Sequence, residues 1–159
     1  MEALSTNRKN FHLTDDDGEL LGEITYTDFL FMKADITLAN TTYKVGPADF
    51  FGTRISVKTN DIEVASVAMN WHGHIVIAFK SAEELILKAT GIFRHKYVLE
   101  NRSGEKLMQL DPRINWNMLD WNYSISYDEK PKNILLVLVT IYAANYIITT
   151  MSGASSGMG

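Results

Sequence analysis

The chain of 159 residues contains no cysteine. That absence excludes disulfides, thiolate zinc sites, iron–sulfur clusters and a cysteine nucleophile together. Proline is scarce, and Pro47, Pro112 and Pro131, the only three, are expected between extended runs, where strands tolerate them. Basic excess is missing too: the net charge is -4, so no positive field covers the surface to draw in nucleic acid. The opening MEALSTNRKNFHLTDDDGE lacks the unbroken apolar core of a secretory signal, and a cytosolic protein is expected. Long apolar runs are absent with one exception, NILLVLVTIYAANYIITTM at residues 133–151.

What is present is β-patterned. Apolar and polar residues alternate over short runs at 11–14, 20–27, 33–39, 42–46, 53–58, 62–69, 74–79, 84–89, 92–100, 105–110 and 121–127. Short strands at such even spacing imply a sandwich or barrel. Residues 1–10 read as a flexible N-terminus. Asp15-Asp16-Asp17-Gly18, Thr59-Asn60-Asp61 and Trp71-His72-Gly73 supply turn chemistry between the runs. In KYVLENRSGEKLMQL, a three-residue loop with Gly104 left-handed sets Leu99 against Leu107 and Glu100 against Lys106. A four-residue loop would oppose Glu100 and Glu105, so the shorter loop is preferred.

The apolar run is a helix, expected over 132–150 with Pro131 in its first turn and a disordered tail at 152–159. Ile134 to Met151 would measure about 27 Å at roughly 1.5 Å per residue, against a hydrocarbon thickness of about 30 Å. Length therefore permits a span. Tyr142, Asn145, Tyr146 and Thr149, however, share one helical face and need hydrogen-bond partners that lipid does not offer. A barrel of eleven or twelve strands has a lumen that would otherwise be hollow, and a helix satisfies its own backbone there. The preferred fold is thus mainly β, a closed antiparallel barrel of about 11–12 strands enclosing a central C-terminal hydrophobic helix, in one domain over 11–151. The alternative is a tail-anchored membrane protein with 134–151 as its transmembrane helix.

This layout resembles the tubby carboxy-terminal-like superfamily, which includes tubby domains, LURP-one-related proteins and phospholipid scramblases. The hairpin KYVLENRSGEKLMQL, the strand DWNYSISYDE and the closing ILLVLVTIYAANYI carry the resemblance, with FHLTDDDGELLGEI similar to the opening hairpin. The chain departs from the scramblases in having no cysteine cluster, proline-rich leader or calcium-loop signature, and it lacks the tubby closing motif with its cysteine. The resemblance implies a non-enzymatic module that binds an anionic phospholipid such as a phosphoinositide, a membrane surface or a protein partner. It implies no cofactor.

Candidate ligand residues come from the residues themselves. Arg94 and Lys96 share a strand face and, with Lys106 on the next strand, form the densest basic cluster, suited to a phosphate headgroup. A solvated face with a Glu100–Lys106 ion pair is the competing explanation. Trp116, in DPRINWNMLD between Asn115 and Asn117, marks a recognition loop or an edge that dips into a membrane, or else an aromatic cap on the barrel. His72 and His74 have two-histidine spacing without a third ligand. Asp15–Asp17 lack the twelfth-position Glu of a calcium loop, where Tyr26 stands. Gly153-Ala154-Ser155-Ser156-Gly157 matches the nucleophile-elbow letters after a helix, not before one, and carries no catalytic reading.

Overall fold

Alternation of inward apolar and outward polar side chains produces twelve strands: β1 (Glu2–Asn7), β2 (Asn10–Thr14), β3 (Leu20–Tyr26), β4 (Ala34–Leu38), β5 (Thr41–Pro47) and β6 (Arg54–Thr59), then β7 (Ile62–Met69), β8 (Ile75–Phe79), β9 (Glu84–Thr90), β10 (Lys96–Glu100), β11 (Lys106–Asn115) and β12 (Asp120–Ser126). One helix, α1 (Ile134–Met158), follows. The computed structural model describes all residues except 8, 29–30, 50–53, 81, 92–95, 116–119 and 159, and the backbone alone at 114–115, 120 and 151–158.

Each strand pairs antiparallel with its sequence neighbour, and β1 pairs with β12 to close the barrel. Residues 1–10, expected to be flexible, therefore hold the closing strand; Ala3 is fully buried, and Met1 accepts a hydrogen bond from the Ile125 amide at 2.9 Å. The meander gives the barrel two ends. The β2–β3, β4–β5, β6–β7, β8–β9 and β10–β11 connections share the proximal end, where α1 begins; the other five hairpin connections and β1–β2 share the distal end.

Helix α1 contacts β3 and β4 on one wall and β8 and β9 on the opposite one, so it lies within the barrel. Val137, Leu138, Val139, Ile141, Ala143 and Ala144 are buried around its whole circumference. Gly22 on β3 makes room: a β-carbon there would sit 2.7 Å from Leu138 Cδ1 and 3.0 Å from the Thr37 carbonyl oxygen. Among the described residues no helix is long and apolar enough to cross a membrane. The helix starts later than expected, at Ile134, because Asn133 accepts a hydrogen bond from the Leu136 amide at 3.2 Å and caps it. Its backbone continues through the expected tail to Met158.

The polar stripe on α1 meets its partners. Asn145, 1% exposed, accepts from Trp121 Nε1 at 2.8 Å and from the Tyr123 hydroxyl at 2.7 Å, and donates to the Tyr26 hydroxyl at 3.0 Å. Tyr142 donates to the Met32 carbonyl at 2.5 Å, while Thr149 turns back to the Asn145 carbonyl at 2.9 Å. Burial holds the Tyr26, Tyr123 and Tyr142 hydroxyls protonated, pushing their pKa above the ordinary value.

Three hairpins share one turn. In Asp15–Glu19, Asn70–His74 and Asn101–Glu105 the first side chain accepts two backbone amides, and the glycine at the fourth position has a φ of 81°, 76° and 81° respectively. Gly104 is left-handed as expected, and Glu100 faces Lys106. Leu99 faces Met108, not Leu107: a bulge on β11 adds a residue, which brings Met108 into the core beside Leu99. The prolines also differ from expectation. Pro47 ends β5, and Pro112 lies inside β11, opposite Tyr123. Among the described residues the β10–β11 pairing stops at Leu110, two residues short of Pro112.

Candidate functional site

The expected basic cluster is not assembled by the described residues. Lys96 and Lys106 each open a strand, and antiparallel pairing sets Lys106 opposite Glu100, four residues along β10 from Lys96, about 13 Å by strand rise. Arg94 lies outside the described residues, as does Trp116. The Glu100 carboxylate pairs with Lys88 at 2.8 Å, not with Lys106, whose ammonium donates to Gln109 at 3.3 Å. Lys106 does line a cleft of about 390 Å³ where the chain enters α1, floored by Leu99, Met108 and Leu136. Charges of both signs rim that cleft, among them Glu105, Asp128, Lys130 and Lys132.

A second concavity is more selective in its chemistry. On the outer wall of β4, β5 and β6 a shallow dent of about 400 Å³ is bordered by Lys33, Lys44 and Lys58, with Asp35 as its carboxylate. Strand register explains the grouping. Asp35 pairs with Lys44, and Lys44 with Lys58, in one cross-strand row. One step toward the distal end, Gly46 pairs with Ser56, and the Lys33 side chain reaches over Gly46, its Cγ 3.4 Å from where a β-carbon would stand. The dent exists because Gly46 contributes no side chain to the wall.

Cations outnumber carboxylates around the dent. Asp35 is bonded to Lys44 at 2.9 Å, whereas Lys33 and Lys58 make no salt bridge among the described residues, the Lys58 charge acting at longer range on Glu63 opposite it. Glu63, directly opposite Lys58, is engaged by Arg54 at 2.5 Å, and that hydrogen bond holds its carboxyl below the usual range. Lys44 and Lys58 are like charges directly opposed on neighbouring strands, an arrangement that weakens a sheet unless an anion bridges them.

Ser56 forms the floor. Its neighbours Ile55 and Val57 point into the core, so Ser56 points outward, yet it is only 4% exposed. Its hydroxyl has no hydrogen-bond partner among the described residues and opens into the dent. The Lys33 backbone is itself fixed: Asp28 accepts from the Met32 and Lys33 amides at 2.9 and 3.0 Å, and Tyr142 of α1 holds the Met32 carbonyl. Three ammonium groups around a neutral donor can receive a tetrahedral anion through charge-assisted hydrogen bonds. No sequence signal short of the strand register could have grouped Lys33, Lys44, Ser56 and Lys58.

His72 and His74 sit on a distal hairpin with ring centroids 6.2 Å apart, and no third ligand joins them among the described residues. Comparison with protein-family models, curated proteins and solved structures finds no match to this chain.

Proposed function

We propose that this chain is a cytosolic, non-enzymatic binding module whose wall dent receives a phosphorylated anionic headgroup, that of an anionic phospholipid such as a phosphoinositide. The observation that carries the reading is Lys33, Lys44 and Lys58 gathered around the unpartnered hydroxyl that Ser56 opens to the dent. The twelve-stranded barrel around its own C-terminal helix supports it as well, being the layout that resembles the tubby-like class. The headgroup would bridge Lys44 and Lys58, take a hydrogen bond from Ser56, and be closed over by Lys33. Each lysine near an anionic surface contributes about 1 kcal/mol.

The test is a titration of the intact chain with a soluble inositol phosphate, alongside inorganic phosphate and flotation on vesicles with and without phosphoinositide. Lys33→Ala combined with Lys58→Ala should weaken binding by roughly 10–30-fold, and added salt should weaken the native chain's binding. Lys96→Ala, remote from the dent, should leave it unchanged. A double variant that binds as tightly as the native chain would remove the dent from consideration.

A further inference from the structure

The three hairpins of identical turn geometry provide an internal comparison. At the second position of the turn stand Asp16, Arg102 and Trp71. The first two lie at the proximal end, where the connections are rich in carboxylates, including Asp15, Asp17, Asp128 and Glu129. Trp71 lies at the distal end and is fully exposed, at 101%. The turn does not require an aromatic residue, since an aspartate and an arginine make it equally well. Asn70 braces the loop through the His72 and His74 amides, both at 3.0 Å, so the indole is presented on a fixed tip. Met69, 50% exposed, stands beside it.

Charge divides along the same axis. Lys9, Lys33 and Lys96 are exposed at the distal end. Of the carboxylates in the described distal connections, Asp28 is occupied by two amides and Asp49 acts on Arg54. A barrel with a cationic end bearing an exposed tryptophan and an anionic opposite end is polarised to stand on an anionic surface. Indole is the side chain best suited to the water–lipid boundary.

We infer that the distal end is the face that meets a membrane, with Trp71 inserted among the headgroups as an interfacial anchor. The inference rests on the headgroup reading and adds an orientation to it. From the Lys33–Gly46–Ser56 row to Trp71 is on the order of 20 Å by strand spacing and rise, and from the Lys44–Lys58 row on the order of 27 Å, so the barrel tilts its β4–β6 wall toward the surface for the dent and the anchor to meet it together. The partner is a lipid bilayer carrying negative charge, not a span of the chain through it.

Phosphatidylcholine vesicles with and without phosphatidylserine and phosphoinositide provide the test. Trp71→Ala should partition roughly tenfold more weakly, given the large area an indole buries, while binding soluble inositol phosphate as the native chain does. Brominated lipids should quench the native fluorescence by an increment absent from Trp71→Phe. Equal partition of native and Trp71→Ala chains, with soluble headgroup binding intact, would overturn the anchor and leave the dent standing. Failure of the native chain to bind either soluble headgroup or vesicles would overturn both.

Discussion

Asn145 in the lumen and Ser56 on the wall are both polar residues with little exposed surface, and they differ in how their polar atoms are satisfied. Asn145 is saturated by Trp121, Tyr123 and Tyr26, whereas Ser56 has no partner among the described residues. Buried polar groups with full sets of hydrogen bonds specify structure, whereas a hydroxyl left open beside lysines is free to meet the headgroup proposed above. The two regions also differ in who supplies the partners. Around Asn145 they come from strands far away in sequence, and at Ser56 they would come from outside the molecule.

The largest expected effect concerns the lumen. Tyr26, Tyr123 and Tyr142 are kept protonated by burial, with folded pKa values above the unfolded value near 10. Their stabilisation is complete below about pH 10 and is lost as pH rises beyond it, because only the unfolded chain can then release the protons. Three such groups give a slope of up to about 4 kcal/mol per pH unit. Urea titrations at pH 9, 10.5 and 11 should show it, and Tyr26→Phe should remove about a third; a flat profile would break the claim that the lumen is dry.

Next in size is Asn145→Leu, which keeps the volume but orphans the Trp121 and Tyr123 donors and the Tyr26 hydroxyl. A loss of about 3–6 kcal/mol in chemical denaturation is expected. Smallest is Ser56→Ala. Stability should change by no more than about 0.5 kcal/mol, while headgroup affinity falls roughly tenfold. If Ser56→Ala instead destabilised the fold as Asn145→Leu does, the contrast between the two sites would dissolve.

Much of the architecture was legible because strands and plug obey different periodicities. Eleven of the twelve strands announce themselves by alternation and turn residues, and the stripe of Tyr142 and Asn145 marks a helix facing protein. β1 escaped notice because EALSTN offers Ala3 as its sole fully buried side chain, too small to stand out as apolar alternation. Pro112 hid the length of β11, since a proline cannot donate to a ladder and a run that reaches one reads as ended there. The residues of the proposed wall site were less accessible. Clustering along the sequence drew attention to Arg94 and Lys96, but a wall site is assembled across strands. Lys44 and Lys58 are fourteen positions apart yet adjacent in the sheet. Trp71 was visible; its full exposure was not.

Chain order gives the plug a further consequence. A ribosome releases all twelve strands before α1, so the nascent sheet acquires its apolar inner face while the element that fills it is still being made. The interval leaves an apolar face uncovered, and productive maturation depends on keeping neighbouring chains away from it until α1 emerges.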